Sequence, residues 1–460
     1  MINLVMPFCM SPTVKRKKMK NLYVSRFCYL FRSTAGSLLA YSSKTNSFIE
    51  LSEQLFEILR QHQLNEAPIT TNVIPSNTLD TLYGEGFVGF KEDDENFVLE
   101  SQFITQAVQH DATKLNLVLV PTLNCNFDCP YCFENGKRGG IMSKDTINNL
   151  LEFIKENKGK GNTSITWYGG EPLLGLNVIK AILKEIGNIG CILRHHSIIT
   201  NGYYFDEKVI DVFESYPLDS IHITLDGQED RHNKLRAIKG TNAPSFKTIL
   251  NNIKLVAEGM PSTKLHVRVN IDRNNVEDFF SLSKEIKEMI GTDNIIVYPG
   301  IIRLENNDMT NTVEPAFGRW ETANFLYDIY SKGILEGEVY PTRKIAKTCC
   351  ASCVNSFIIG PQGEIYKCWN DVSDRTKVIG YINQKEIKNK ELYYKYEVGC
   401  SWYNDSECRK CFFLPICNGK CAWYNERNIY HNGKFNLCQC MQKAPGLLDK
   451  CLENYYNSLK

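Results

Sequence analysis

The sequence LNLVLVPTLNCNFDCPYC, residues 115–132, places three cysteines in a short loop directly after an apolar run. The apolar run predicts a buried strand. Cys125, Cys129 and Cys132 can bind three irons of a [4Fe–4S] cluster and leave the fourth iron open for another ligand. Structural zinc sites use four protein ligands instead, and no nearby cysteine or histidine supplies a fourth. The pattern therefore favours the cluster over zinc.

From residue 113 onward, the sequence alternates between short apolar strands and amphipathic helices. We predict strands at 115–120, 164–168, 197–199, 220–225, 265–271 and 295–298, and helices at 143–156, 175–187, 206–215, 245–258 and 276–290. Six βα units in a row predict an α/β fold with a parallel sheet curled into a partial (β/α)6 TIM barrel. In such barrels the reacting groups lie on loops after the strands, which is where the cysteine loop (residues 121–132) falls.

The cysteine loop resembles the C-x3-C-x-aromatic-C signature of the radical S-adenosylmethionine (SAM) superfamily, with Tyr131 as the aromatic residue. The resemblance implies that SAM binds the open iron. One electron then cleaves SAM to methionine and a 5′-deoxyadenosyl radical, which abstracts a substrate hydrogen. The cofactors supply this chemistry, and the protein positions them.

Other strand ends extend the resemblance. Gly169-Gly170-Glu171-Pro172 is similar to the segment that binds the SAM amino group, and Thr224-Leu225-Asp226-Gly227, leading into His232 and Arg236, is similar to an S-x-D-G…H-x-x-x-R pattern with threonine in place of serine. Each of these residues could instead form a structural turn or ion pair. The SAM contacts that the resemblance implies are Gly169, Gly170, Glu171, Pro172, Asn201, Thr224, Asp226, Arg268 and Asn270. No residue stands out as a general base, and His195 and His196 are expected to be ordinary strand residues.

Cysteine usage is high, with eighteen cysteines in 460 residues. In a large chain without an export signal, such usage indicates metal or redox chemistry rather than disulfides. The C-terminal part contains Cys353-x9-Gly363-x4-Cys368, then Cys408-x2-Cys411-x5-Cys417-x3-Cys421, and finally Cys438 and Cys440. A zinc-binding domain is the alternative, but the second run is poorly suited to separate tetrahedral zinc sites.

This C-terminal pattern resembles the seven-cysteine signature of the SPASM domain, which implies two auxiliary [4Fe–4S] clusters. The first would use Cys353, Cys368, Cys421 and either Cys349 or Cys350. The second would use Cys408, Cys411, Cys417 and either Cys440 or Cys438. We expect the remaining cysteines to be plain thiols: Cys9, Cys28, Cys191, Cys400 and Cys451.

The residues before the barrel predict a small α+β winged-helix-like module. It would contain a hairpin over Tyr29–Tyr41, a helix capped by Ser52, a helix at 76–83 and a second hairpin over Phe87–Phe97. The predicted domains are a disordered tail at 1–19, with Met1 or Met19 as the true start, the module at 20–112, the barrel at 113–300, a helical bridge at 301–345, the SPASM domain at 346–445 and a C-terminal tail at 446–460.

SPASM enzymes mostly act on peptides or proteins, and an N-terminal module favours a maturase of ribosomal peptides that captures a leader by strand addition. It would form a crosslink or a thioether, or epimerise a residue. An anaerobic sulfatase-maturing enzyme, which generates formylglycine, is the alternative. A non-catalytic iron–sulfur electron-transfer protein or a zinc-binding protein is the alternative of another class. The enzyme would take electrons from an external donor such as flavodoxin or ferredoxin.

The bulk composition adds constraints. A formal net charge of +1 gives no reason to expect nucleic acid or a membrane surface as a partner, and no apolar stretch reaches the length of a spanning helix. We expect a cytoplasmic location and, because exposed clusters and thiolates oxidise readily, an anaerobic host.

Overall fold

The computed structural model describes residues 21–132, 140–160, 162–291, 293–302, 317, 319–335, 346, 348–438 and 446–459. The predicted tail at 1–19, Cys9, Cys440 and most of the predicted bridge at 301–345 lie outside these residues. No helix in the described ranges is both long enough and apolar enough to span a bilayer.

The N-terminal unit (residues 21–109) is a three-stranded antiparallel sheet with helices. Its elements are β1 (Tyr23–Val24), β2 (Cys28–Arg32), β3 (Leu38–Ser42), β4 (Ser47–Leu51), α1 (Glu53–Leu64), α2 (Ser76–Gly84), β5 (Val88–Gly89) and α3 (Lys91–Gln109). The sheet order is β2-β3-β4, and β1 pairs with β5. As predicted, β2 and β3 form a hairpin, and the Ser52 side chain caps α1 by accepting a hydrogen bond from Leu55 N.

The predicted hairpin over Phe87–Phe97 is wrong, because α3 begins inside it. Asp93 Oδ2 accepts a hydrogen bond from Phe90 N at 2.8 Å and so caps the helix. Glu92, Asp93 and Asp94 occupy the first turn, where the helix dipole favours negative charge. The acidic pair that reads as a turn in the sequence is therefore a helix start.

The central unit alternates strands and helices as predicted. Its elements are β6 (Lys114–Leu119), α4 (Lys144–Asn157), β7 (Asn162–Trp167), α5 (Leu176–Ile186), β8 (Ile192–Thr200), α6 (Glu207–Ser215), β9 (Ser220–Leu225), α7 (Glu229–Leu235), α8 (Phe246–Gly259), β10 (Lys264–Ile271), α9 (Val276–Ile290) and β11 (Ile295–Ile301). Strands β6 to β11 are parallel and lie side by side in chain order. The chain is thus an α/β fold around a mostly parallel sheet.

The two faces of this sheet differ in chemistry. Because successive residues of a strand point to opposite faces, one face carries the apolar side chains that pack against the helices. The opposite face, called the inner face below, carries polar side chains along β8 to β10, among them Ser197, His222, Thr224, His266 and Arg268.

The C-terminal unit (residues 348–459) extends this sheet. Its elements, after the bridging helix α10 (Arg319–Ser331), are β12 (Ser356–Ile359), β13 (Glu364–Tyr366), β14 (Gly380–Tyr381), α11 (Lys390–Tyr394), α12 (Ser406–Lys410), α13 (Ala422–Tyr430) and α14 (Leu447–Ser458). Strand β12 pairs in parallel with β6, and β13 and β14 complete a nine-stranded sheet. The cysteine spacing that predicts a separate domain here gives no sign of this connection to β6.

Helix α14 replaces the predicted C-terminal tail at 446–460. Its Leu448 and Leu452 pack against Phe31, Leu39 and Tyr41 of the N-terminal sheet. Helices α1 and α2 cover the other face of that sheet. The N-terminal sheet is therefore buried between helices that lie about 400 residues apart in the chain.

Candidate active site

The cysteine loop follows β6 directly. Its three cysteines are half-buried, and Phe127 N donates a hydrogen bond to Cys125 Sγ at 3.4 Å. The pKa of Cys125 is raised to about 12 and that of Cys129 to about 11, mainly by burial and in smaller part by the charge of the neighbouring Cys132. These thiols are therefore close together and held in a site that favours neutral thiols unless a metal binds them.

The three thiols of the cysteine loop fit the donor set of a [4Fe–4S] cluster. A cubane cluster binds each cysteine through a different iron, so its thiols need not converge on a single point.

The turn after β7 packs directly on the cysteine loop. Glu171 N donates to Asn124 O at 2.9 Å, and Gly170 N donates to Thr122 O at 3.3 Å. A Cβ atom on Gly170 would collide with the carbonyl oxygens of Leu123 and Asn124. Gly169 has φ +135°, a conformation that favours glycine. The glycines thus allow the backbone of the cysteine loop to approach closely.

The carboxylate of Glu171 is fully buried and accepts three hydrogen bonds from the chain. The donors are Leu173 N at 3.0 Å, Thr200 Oγ1 at 2.7 Å and Asn201 N at 2.8 Å. Burial raises the pKa of Glu171, and the donors offset this only in part. In this structure Glu171 ties the ends of β7 and β8 together.

Tyr131, the aromatic residue of the cysteine loop, is anchored at the ends of β9 and β10. Its hydroxyl donates to Asp226 Oδ2 and accepts from Arg236 Nε at 3.0 Å. Asp226 also accepts from Arg236 Nε at 2.6 Å and from Asn270 Nδ2 at 2.7 Å. Burial acts to raise the pKa of Asp226, but Arg236 and the Tyr131 hydroxyl outweigh it and hold that pKa below its ordinary value. This buried network fixes the loop.

His232 contacts the backbone of Asp226, a member of the same network. Its Nδ1 accepts a hydrogen bond from Asp226 N at 3.2 Å, and its Nε2 lies 3.1 Å from Ser245 Oγ. Burial and the nearby Arg236 lower the pKa of His232 to about 4. The imidazole is therefore neutral at pH 7 and acts as an acceptor for the Asp226 backbone.

Unpaired polar atoms beside the cysteine loop fit a polar cofactor such as SAM. Asn126 Nδ2 and Asn270 Oδ1 are buried without a hydrogen-bond partner among the described residues. Thr224 and Arg268 are adjacent on the inner face, and neither side chain hydrogen bonds to a described residue. Leaving the two buried amide atoms unpaired is costly, and a ligand with amino, carboxylate and ribose groups would satisfy them. Thr224 is half-buried and Arg268 is exposed, so both side chains are accessible to the same ligand.

Asn201, another predicted SAM residue, contacts the cysteine loop. Its Nδ2 donates to Asn126 Oδ1 at 2.7 Å, and its Oδ1 accepts from Tyr203 N at 2.9 Å. Pro172 begins a short 3-10 helix and is buried. Asn126 is a residue that the sequence analysis missed, although its position between two predicted cluster ligands is a usable signal.

Four cysteines of the C-terminal unit surround one small cavity of about 40 Å³. They are Cys408, Cys411, Cys417 and Cys438. Lys420, which pairs with Asp405 at 2.5 Å, lines the same cavity. Of the two cysteines left open by the sequence, Cys438 therefore lies with this group, whereas Cys440 is outside the described residues.

A second group of cysteines lies where the C-terminal unit meets the central sheet. Mutual electrostatic effects on their thiol pKa values link Cys349, Cys350, Cys353, Cys368 and Cys421. Trp369 Nε1 donates to Cys350 Sγ at 3.1 Å. Five thiols exceed the four that a cluster needs, so the choice between Cys349 and Cys350 stays open. The expected thiols Cys28, Cys191, Cys400 and Cys451 are buried and free.

Comparison with known proteins identifies the central unit. Residues 119–303 match the Radical SAM superfamily. A cysteine-type anaerobic sulfatase-maturating enzyme of Clostridium novyi is 26% identical in an alignment of 354 positions that covers 70% of this chain and 92% of that protein. The radical SAM cyclopropyl synthase TigE of Paramaledivibacter caminithermalis is 21% identical in an alignment of 467 positions, gaps included, that covers 87% of this chain and 90% of that protein.

Solved structures share the fold. Native anSMEcpe with bound AdoMet and Cp18Cys peptide superposes with a TM-score of 0.54 at 16% identity, covering 75% of this chain and 96% of its own. Streptococcus suis SuiB bound to S-adenosylmethionine has a TM-score of 0.53 at 15% identity and covers 91% of this chain and 100% of its own. SuiB bound to the precursor peptide SuiA covers 92% and 100%, with 15% identity and a TM-score of 0.50.

Proposed function

Because residues 119–303 form a radical SAM domain, we propose that this enzyme modifies a ribosomally made peptide whose leader segment binds the N-terminal unit. The modification is a crosslink, a thioether or an epimerisation. The prediction that the chain is an enzyme is confirmed, so the non-catalytic alternatives are set aside. The sulfatase-maturing alternative remains as the second candidate, since relatives of that name match most of the chain.

The N-terminal unit is the observation that carries the proposal. Strand β4 lies at the edge of its sheet, and residues 47–49 are half-buried. An edge strand can pair with an extended peptide, whose side chains then enter neighbouring pockets. TigE and SuiB match 87% and 91% of this chain, whereas the two sulfatase-maturating matches cover 70% and 75%. The greater coverage by TigE and SuiB supports peptide maturation over sulfatase maturation.

The finer fold assignments belong to the same proposal. The N-terminal unit would be a winged-helix-like recognition module, the central sheet a partial (β/α)6 barrel and the C-terminal unit a SPASM domain. Its clusters would be held by Cys408, Cys411, Cys417 and Cys438, and by Cys353, Cys368, Cys421 and either Cys349 or Cys350. The shared cavity and the mutual proximity of the thiols support these two sets.

In the proposed reaction, a cluster on Cys125, Cys129 and Cys132 together with SAM supplies the 5′-deoxyadenosyl radical when an external one-electron donor is present. The chain's own residues orient and shield the site. Asp226 and Arg236 hold Tyr131 and with it the cysteine loop. The unpaired Asn126 Nδ2 and Asn270 Oδ1, together with Thr224 and Arg268, would hydrogen bond to SAM.

The test uses the full-length enzyme, reconstituted anaerobically, with SAM and dithionite. The probes are the peptide encoded by any short reading frame that adjoins the gene, taken as the candidate precursor, the same peptide without its leader, and a cysteine-containing sulfatase peptide. We expect 5′-deoxyadenosine release and a mass change on the full precursor, at least tenfold slower without the leader. Cys125→Ala should abolish both, whereas Cys191→Ala, a buried cysteine outside the loop, should retain both.

Formylglycine in the sulfatase peptide, with no effect of the leader on the precursor, would overturn peptide maturation and establish the alternative. Absence of 5′-deoxyadenosine with all three peptides would overturn the choice of peptides as the substrate class.

A further inference from the structure

A lysine is completely buried next to a predicted cluster ligand in the C-terminal unit. Lys367 follows β13 and immediately precedes Cys368, and its side chain has no exposed surface. Its Nζ donates to the backbone oxygen of Cys353 at 2.6 Å and to that of Ser356 at 3.0 Å. The ammonium therefore lies against the backbone of one proposed cluster ligand, Cys353, and of the nearby Ser356.

The lysine is paired with a carboxylate that is almost as deeply buried. Glu397 Oε1 lies 2.6 Å from Lys367 Nζ, and the Glu397 side chain is 4% exposed. Glu397 lies in a π-helical turn, Lys395–Gly399, that continues α11. Single π-turns in helices occur frequently at functional sites.

The surroundings of the lysine are complementary to a cation. Besides the carboxylate and the two carbonyls, its Nζ lies over the rings of Phe357 and Tyr393, at 5.1 Å and 5.4 Å from their centroids. Aromatic faces attract cations, most strongly when water is excluded. Packing alone does not explain this arrangement, because a buried ion pair can often be replaced by apolar residues without loss of stability.

The two charges of the pair are not equivalent towards the cysteines. The ammonium hydrogen bonds to the Cys353 backbone, whereas the carboxylate contacts the ammonium. The positive charge is therefore in direct contact with a proposed cluster ligand, and the negative charge is joined to that ligand only through the ammonium.

We propose that the buried Lys367–Glu397 pair sets the reduction potential of the auxiliary cluster held by Cys353, Cys368 and Cys421. The inference rests on the proposed function only in requiring a cluster at these cysteines. Fe–S potentials depend on nearby charge, on hydrogen bonds and on solvent exposure. Here the charge is excluded from solvent, so water and salt screen it weakly. Lys367 favours the reduced, more negative cluster, and Glu397 opposes it.

The test is an anaerobic redox titration of the full-length, iron-reconstituted enzyme with dithionite, followed by electron paramagnetic resonance. One electron enters each cluster from the reductant. Lys367→Met is expected to lower one midpoint potential, and Glu397→Gln is expected to raise the same one. Each change should be at least tenfold in the reduction equilibrium, which is 59 mV for one electron. The other clusters should keep their potentials.

Potential shifts of opposite sign in the two single variants distinguish an effect of charge from a loss of local structure. A loosened site that admits water would move the potential in one direction in both variants. The double variant K367M/E397Q leaves no buried charge, and we expect a lowered potential because the nearer charge is lost. It provides the readout if Lys367→Met folds poorly. Lys44→Met, which removes a lysine from an ion pair of the N-terminal unit, is the matched control and should change none of the potentials.

Shifts of the same sign in both single variants, or shifts below a factor of two in the reduction equilibrium, would overturn the inference. Four irons per chain instead of about twelve would overturn it as well, because no auxiliary cluster would be present. Neither result depends on whether a peptide is modified, so failure of the inference and failure of the proposed function are separate outcomes.

Discussion

At the scale of single residues, His196 shows how burial sets a protonation state. The ring is 2% exposed, its Nε2 accepts a hydrogen bond from Trp167 Nε1 at 2.7 Å, and its Nδ1 lies 3.0 Å from Pro217 O. Burial lowers the pKa of His196 to about 4, from an ordinary value of 6.5. The folded protein therefore holds a neutral imidazole under conditions in which the unfolded chain takes up a proton.

This shift predicts a loss of stability in mild acid. Above pH 6.5 both states are neutral and the contribution is fully present; it is lost progressively as the pH falls from about 6.5 to about 4. Between pH 6.5 and 5, wild type should lose about 1.5 kcal/mol more unfolding free energy than His196→Gln. Urea unfolding at both pH values measures the difference. His195→Gln, a half-exposed neighbour on the same strand, should behave like wild type; equal losses in all three proteins would contradict the prediction.

Residue types and spacings were informative where the chemistry is local. The three cysteines of the loop, the Ser52 cap and the ordinary role of His196 follow from sequence reasoning. The Tyr131–Asp226–Arg236 network does not, because it joins residues about 100 positions apart whose contact depends on the order of the strands. Glu171 shows the same limit, since its buried donors come from β8 and from its own turn.

At the scale of elements, the active site depends on two turns that pack against each other. The glycine turn after β7 and the cysteine loop after β6 share backbone hydrogen bonds, and Gly170 leaves no space for a side chain. The register of β6 and β7 brings these turns together. A single methyl group at Gly170 is therefore sufficient to separate them.

We predict that Gly170→Ala destabilises the protein by about 1–3 kcal/mol, the usual cost of overpacking, and lowers the iron bound at the cysteine loop. Iron content after anaerobic reconstitution and the unfolding free energy are the measurements. Gly187→Ala is the matched control, because a Cβ there meets no atom within 4 Å and φ is −64°; we expect it to be neutral or stabilising by up to about 1 kcal/mol. Full iron binding and wild-type stability in Gly170→Ala would rule out the packing role.

Element prediction succeeded in the central unit and failed at α3. The βα units carry strong, regular apolar periods, so most of their strands and helices lie within a few residues of the predicted bounds. Strand β8 begins five residues before its predicted start, and the short helix α7 is not predicted. In α3 the buried positions are Val98, Thr105 and Gln109, and two of the three are polar. A helix with so little apolar periodicity is not recognisable as one from its sequence, although the acidic cap is a signal that could have corrected it.

At the scale of the whole molecule, α14 links the two ends of the described chain. Leu452 is fully buried against the N-terminal sheet, and Tyr29 Oη donates to Asp449 Oδ1 at 2.7 Å. The sequence could not reveal this contact, because a short amphipathic helix does not indicate which surface it covers. The pairing of β12 with β6 could not be predicted either, because a short strand does not indicate which other strand it pairs with.

We predict that Leu452→Ala costs about 2–5 kcal/mol, the range for deleting a buried leucine side chain, and increases protease cleavage in the N-terminal unit. Denaturant unfolding and limited proteolysis with mass spectrometry measure the two effects. Leu459→Ala, at a residue that is 59% exposed at the end of the same helix, should change stability by less than about 0.5 kcal/mol. A matching loss in both variants would show that α14 does not join the units.

The position of α14 also has a consequence for biosynthesis. The apolar face of the N-terminal sheet that receives Leu452 leaves the ribosome about 400 residues before its cover does. At about 5–20 residues per second, that face waits roughly 20–80 seconds for its partner. During this interval the nascent chain exposes an apolar surface that can bind other proteins. The yield of folded protein in cells should therefore depend on the supply of chaperones, even if the finished protein is stable.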